Sequence, residues 1–531
     1  MTVTATPPSP QPSLDKKVFL PTFILVIFIG VLLVLKPEQA ELLLGGALQT
    51  VTGYFGWLYL LIGVASIAVL AWLAFSRYGR VLLGAPGENP EFSTPSWIAM
   101  MFTAGIGIGI TNWAFVEPIF YYQSPPFGIE PGSALAAEWA HMYGQFHWSI
   151  VPWAIYALPA LPVAYSLYVR KQPSCRISTA SAGALGRKSF DWFGIGIDVI
   201  VILAIIGGVG TSLGLGLPLV SAFVARCFSI PDTPMLHFGI LVVWTAVFGT
   251  SVYLGLDKGI RILADTNAIF AIFFLVFVLV AGPTVFILNM STNSIGLMFD
   301  NLFRISFWMD PVVKSGFPED WTVFYWGWWI AYAPMVGLFV ARISRGRTIR
   351  EVIIGHVVWG SLGSMVFFAV SGGYSLHLEM NGILDLSALL NESGIPATAV
   401  TIVGSLPGET IMLFVFTLLC MIFLATTLDS SAYVLASVST RNLTGEGQPA
   451  RWNRFAWAFA LAVIAVGLIA AGGLKTVQTS TVIAALPLLP VLVILQLSLF
   501  KWLREDFGKT LRPANYALEH RPDGGTDVRK V

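Results

Sequence analysis

Apolar runs about twenty residues long recur along most of the chain, separated by short polar segments. A helix that crosses the roughly 30 Å hydrocarbon core of a bilayer needs about 20 such residues. Runs of this kind occupy residues 18–36, 54–76, 96–122, 137–169, 193–225, 235–256, 262–290, 321–341, 352–378, 408–438, 453–472 and 479–500, which predicts twelve spans. Several are longer than a crossing requires, so tilt or extension beyond the bilayer is expected. Between spans seven and eight, near Ser294 to Trp308, the pattern changes. Ile295, Met298, Leu302 and Ile305 recur at helical spacing among polar residues, as in a helix lying along the outer membrane surface. The segments are then an N-terminal arm (1–17), two leading helices (18–92), spans three to seven (93–290), the interfacial helix (291–320), spans eight to twelve (321–500) and a C-terminal tail (501–531).

Composition agrees with that pattern. The 531 residues are 56% hydrophobic and only 11% charged, with a mean hydropathy of +0.76. Soluble domains carry about 25% charged residues, and this chain has too few to cover soluble surfaces, so its partner is membrane lipid. A net charge of +1 excludes the concentrated basic face that nucleic acid requires. Cys175, Cys227 and Cys420 are odd in number and widely spaced, which suggests neither a disulfide framework nor a metal site. The polar, proline-rich start does not read as a cleaved leader. With the N-terminus placed inside, 25 of the 30 Lys and Arg residues fall in inside segments. The outside segments hold Lys36, Arg226, Arg304, Lys314 and Lys475. This positive-inside bias supports twelve spans with both termini cytoplasmic.

Three features carry chemistry. In span three, Gly105, Gly107 and Gly109 alternate, although glycine inside a helix costs roughly 1 kcal/mol relative to alanine. They serve either a small-residue packing face or a broken helix whose freed backbone groups coordinate ions and anionic groups. Glu117 follows in the same span, and an acid within a membrane is expensive and usually functional, which favours the break. The second feature is aromatic. Trp153 and Tyr156 share a face of span four beside Phe146, His147 and Trp148, while Trp328, Trp329 and Tyr332 share a face of span eight. A quaternary ammonium group has no N–H to donate, but aromatic faces attract it, each contact reaching about 2 kcal/mol when desolvated. Core packing of the rings is the competing explanation. The third feature is negative. Gly210-Thr211-Ser212-Leu213-Gly214 matches a nucleophile elbow only in letters, because it lies within an apolar helix. There is no His-Glu-x-x-His, so an enzyme is not expected.

The run from Asp320 to Trp329, with Trp321, Tyr325, Trp326 and Gly327 in register, resembles the signature of the betaine–choline–carnitine transporters. It continues into the basic run Ala341 to Glu351. Gly105 to Pro118, Phe146 to Tyr156, Ser212 to Gly216 and Thr426 to Ser430 extend the likeness over about residues 15–505. The resemblance implies an all-α polytopic protein of LeuT type, with two inverted five-helix repeats (spans 3–7 and 8–12) behind two extra helices, assembled as a homotrimer. It implies an onium-binding box of Trp148, Trp153, Tyr156 and Trp329, with Trp328 and Tyr332 on the substrate path and Trp321 at an outer site. At position 332 the betaine symporter pattern has Trp rather than Tyr. The coupling ion it implies is sodium, held by backbone carbonyls of Thr103 and Ile106 with the hydroxyls of Thr426 and Thr427. Asn267 stands where sodium-independent exchangers carry an arginine. A second sodium site would use threonines where this chain has Ile205 and Val209, so one sodium is expected. Ser124 to Gly128 resembles the exchanger branch instead.

The expected function is import of a small onium zwitterion, such as glycine betaine or carnitine, across a bacterial inner membrane, coupled to sodium and without an organic cofactor. The alternatives are a sodium-independent exchanger and a channel-like or sensory onium binder. The short tail predicts no strong osmotic activation.

Overall fold

A computed structural model describes residues 12–254, 259, 261–443, 447–471, 473–508, 516–520 and 526–530. Lys258 and most of the arm and tail lie outside the described residues. The chain is a bundle of long helices. Among the described residues, ten are long and apolar enough to cross a membrane, or eleven if the bent pair Gln478–Ala485 and Leu488–Phe507 counts as one. Span three is not among them because it is broken, and span six contributes a shorter apolar stretch, Pro234–Trp244.

Several boundaries differ from expectation for identifiable reasons. The second helix, Pro37–Phe75, starts well before residue 54, because Pro37 at its first turn has no N–H to leave unpaired. Span seven stops at Ala281, and the outer helix begins at Thr284, ten residues earlier than predicted, running to Phe307. Its inward stripe holds Ile287, Ser294, Met298 and Ile305, whereas Ile295 faces outward, 45% exposed. One of these ten, Leu386–Gly404, occupies what the sequence pattern left as a loop. Gly394 (φ 75°, ψ −177°) kinks it into two pieces, each shorter than a span requires.

Spans three and four are not continuous. Span three is Thr94–Ile106, Gly109–Trp113 and Glu117–Gln123. Span four is Ala134–His147 and Ile150–Ala164, interrupted at Trp148 and Ser149. Span eight is continuous from Phe324 to Ile343 and fully buried. It lies at the centre, against span four and the helix Gly473–Ala485.

Segments that the charge count assigns inside meet one another. Ser13–Leu14 pairs antiparallel with Thr440–Arg441, and Leu82–Leu83 with Arg347–Thr348. Arg170 bonds Asp506 (2.8 Å) and Glu505 (2.7 Å). Asp15, 2% exposed, accepts from Arg176 (3.0 Å) and Arg441 (2.9 Å). These contacts tie the N-terminus, four connecting loops and the end of the last helix into one end of the bundle.

Candidate functional site

The glycines of span three exist because aromatic rings approach its backbone. A Cβ at Gly105 would stand 3.2 Å from both Trp153 and Tyr156, and one at Gly109 3.0 Å from Trp328 and 3.1 Å from Trp148. Those distances are tighter than ordinary van der Waals contact. Gly107 is the break itself. Its φ of 55° and ψ of −152° belong to a region essentially reserved for glycine, and a Cβ there would collide with the hydroxyl of Thr427 on span ten. Packing and a broken helix therefore coexist in one five-residue stretch.

Around this break the rings assemble. Trp329 sits 4.6 Å from Tyr156, 5.4 Å from Trp148 and 6.2 Å from Trp153, centroid to centroid. Trp148 also stands edge-on to Trp328 at 5.8 Å. Gly105, Ile106, Trp148, Tyr156, Ser212, Trp328, Trp329 and Tyr332 line a cavity of about 10 Å³, room for roughly one water. Trp153 is in the cluster but behind this lining. It stacks on Phe102 at 5.8 Å and donates its indole N–H to Ser364 Oγ at 3.1 Å. Ser212, dismissed in the sequence as a hydrolase look-alike, faces the cavity with its hydroxyl 3.0 Å from that of Tyr332. Tyr156 donates to the Gly105 carbonyl at 3.0 Å, so one ring is fastened directly to the span-three break. Hydrogen bonds satisfy Trp153, Tyr156, Ser212 and Tyr332, yet the indole N–H groups of Trp328 and Trp329 have no protein partner among the described residues. Buried donors left unpartnered on residues that line a cavity suit a ligand's acceptor oxygen.

Trp321 lies apart from the cage. It lines a second hollow with Trp113, Phe120, Phe324, Glu319 and Asp320, packing edge-on to Tyr121 at 4.7 Å.

For a coupling ion, the candidate oxygens come from two elements. The Thr103 carbonyl accepts from Gly107 N–H at 3.2 Å. Thr426 and Thr427 donate to the Phe423 carbonyl at 2.7 and 2.9 Å, which leaves their oxygen lone pairs available. Thr427 is in contact with the break at Gly107; the structure gives no such contact for Thr426. Asn267 on span seven is completely buried, with neither side-chain atom partnered among the described residues, as expected of an amide beside an ion or water. Its helix, Arg261–Ala281, packs against both Thr94–Ile106 and Glu409–Val438. Hydroxyl, carbonyl and amide oxygens are the donor types a hard monovalent cation prefers. Ile205 and Val209 are buried side chains that offer no oxygen. No cluster of three His, Cys, Asp or Glu fit to hold a metal occurs among the described residues.

The least anticipated part of the site surrounds Glu117, which is fully buried. Its Oε2 accepts from the Trp148 indole at 3.0 Å and the Tyr325 hydroxyl at 2.6 Å, and its Oε1 from Tyr121 at 2.6 Å. The sequence marked Glu117 as an unusual acid, but its partners come from three spans.

A multi-pass helical bundle with a small ring-lined cavity against a broken helix is the architecture of a secondary transporter. A family model described as the betaine/carnitine/choline family transporter (BCCT) matches residues 17–508, and the chain belongs to that family. Among solved structures, a Na+-coupled sialic acid symporter in a substrate-bound outward-open state aligns with 13% identity and a TM-score of 0.39, covering 87% of this chain and 86% of that one.

Proposed function

We propose that the protein imports a small quaternary ammonium compound, a zwitterion such as glycine betaine or carnitine, in symport with one sodium ion. The observation that carries this reading is the meeting of five rings from spans four and eight around the break in span three. The faces of Trp148, Tyr156 and Trp329 attract the onium head, while the unpartnered N–H groups of Trp328 and Trp329 suit its carboxylate. Trp153 backs Tyr156 and Trp329 rather than touching the ligand. Trp321, with the acidic pair beside it, provides an outer stopping point for a cation on the path inward. Sodium between Thr103, Ile106, Thr426 and Thr427, close to Asn267, holds the two halves of span three in the conformation that completes the cage. Loss of the second site at Ile205 and Val209 sets the stoichiometry at one.

The surrounding architecture is read in the same way. Twelve spans arranged as two inverted five-helix repeats of LeuT type, behind two leading helices, rock against each other to alternate access. The protein forms a homotrimer through the outer helix, in a bacterial inner membrane with both termini cytoplasmic. The test is uptake into liposomes. Purified protein accumulates labelled betaine or carnitine under an inward sodium gradient and not under potassium. Counterflow at full rate without sodium would replace symport with exchange, as the likeness of Ser124 to Gly128 to exchangers suggests.

A further inference from the structure

Behind the cage wall, Glu117 is one end of a continuous chain of polar groups. Tyr121 donates to Glu117 Oε1 at 2.6 Å, and its oxygen lies 2.8 Å from His147 Nδ1. His147 Nε2 reaches Thr322 Oγ1 at 3.1 Å, and the imidazole stacks on Tyr325 at 4.8 Å. Glu117, Tyr121, His147 and Tyr325 are all completely buried. The His147 Nδ1 to Glu117 Oε1 distance is 3.6 Å, and no arginine or lysine among the described residues bonds the carboxylate. An uncompensated charge in such a place costs several kcal/mol, so with the cage empty the cluster favours net neutrality, with one proton shared between Glu117 and His147.

The geometry allows two neutral arrangements. In one, His147 carries the proton, donates through Nδ1 to Tyr121, and Tyr121 donates to the Glu117 carboxylate. In the other, Glu117 carries the proton and donates to the Tyr121 oxygen, and Tyr121 donates to His147 Nδ1. In both, Nε2–H faces Thr322, and Glu117 Oε2 accepts from Trp148 and Tyr325. The proton moves without any heavy atom leaving its place. A second proton would put donors against Tyr121 from both sides. Loss of the proton would leave one net negative charge a single indole away from the cage.

The other titratable groups nearby have separate partners or stand off from the carboxylate. Tyr143 of span four packs its ring 5.9 Å from Tyr121. His141 engages Ser294 Oγ and the Ala369 carbonyl. Glu379 of span nine accepts from the Leu386 and Ser387 N–H groups. Arg304 of the outer helix lies over Phe127, and Glu319 and Asp320 border the outer hollow.

We propose that Glu117, Tyr121 and His147 form a single-proton binding site linked to the cage through Trp148, so that onium binding and proton release are coupled. This inference rests on the cage reading above. Its sign follows from charge. The deprotonated cluster is negative and favours a cation in the cage, so onium affinity rises with pH, and by reciprocity onium binding releases protons.

The probe is tetramethylammonium, an onium without a carboxylate, followed by tryptophan fluorescence of the full-length protein in detergent. Affinity is expected to rise about fivefold between about pH 6 and pH 9. Glu117→Gln, which keeps the shape and removes the charge, holds affinity at the low-pH value throughout. Tyr121→Phe keeps the Trp148 and Tyr325 contacts to Glu117 but interrupts the chain, and displaces the midpoint. An indicator dye in weak buffer reads protons released by the unmodified protein on tetramethylammonium addition, independently of how any variant folds. A pH-independent affinity, no proton release, or an unchanged pH profile in Glu117→Gln overturns the proton site. Absence of binding at every pH overturns the cage reading first.

Discussion

At the scale of single residues, the site is organised by what is missing from Gly105, Gly107 and Gly109. Each lacks the Cβ that would meet a ring or a hydroxyl, and Gly107 also adopts a backbone conformation that an L side chain rarely enters. Gly107→Ala is expected to cost about 1–3 kcal/mol in backbone strain and to push Thr427 away from the break. The proposed sodium-driven uptake is therefore expected to be lost while substantial folded protein remains. Gly239→Ala is the control: it sits in the helix Pro234–Leu254 with open space around it, so its uptake is expected to match the parent and its melting temperature to match or slightly exceed it. Equal loss in both variants would remove the special role assigned to the break. The glycines together with Glu117 pointed to a break from the sequence, but that close packing coexists with it was not legible, because that depends on where Trp153, Trp328 and Thr427 arrive from other spans.

Among the elements, the helix Leu386–Gly404 decides how the chain is threaded. Its kink at Gly394 leaves two short pieces, and residues 391–393 at the end of the first are exposed. We expect it to lie outside the bilayer. A cysteine introduced as Glu392→Cys, in a version lacking Cys175, Cys227 and Cys420, is then labelled in intact cells by a membrane-impermeant maleimide. Protection of that cysteine in intact cells would make the helix a span and invert the sidedness of everything after it. Most elements were legible beforehand because bilayer thickness imposes a length on apolar runs. The start of the second helix at Pro37 and the interruption at Trp148 and Ser149 were not. Apolar composition alone does not register where a helix begins outside the lipid or where it bends. The gathering of rings was legible as two clusters, and helical spacing put Trp153 with Tyr156 and Trp328 and Trp329 with Tyr332 on common faces. The retreat of Trp153 behind Tyr156 and Trp329 was not, since it depends on Ser364 and Phe102.

For the whole molecule, the contacts at the end of the bundle that holds the N-terminus fasten regions far apart in the chain. Asp15 is their hub. Burial alone would raise its carboxyl pKa, but hydrogen bonds and charge from Arg441 and Arg176 outweigh this and hold it below the usual carboxylate range. A carboxyl depressed in the folded state contributes stability above its unfolded value, and that stability is lost as pH falls through the folded value. Asp15→Asn is therefore expected to lower the melting temperature by a constant amount across neutral pH, with the difference closing only below about pH 4. A difference that already fades between pH 7 and pH 5 would show that the ion pairs are not the source.

The pairing of Ser13–Leu14 with Thr440–Arg441 also constrains the order of assembly. Synthesis proceeds from the N-terminus, so the first strand made waits for a partner from the far end of span ten. Most spans are inserted before this joint forms, and Arg176 alone is available to Asp15 until Arg441 emerges. The arm is thus a late-closing latch, and an obstruction at the N-terminus leaves insertion intact while blocking one of the last steps of maturation.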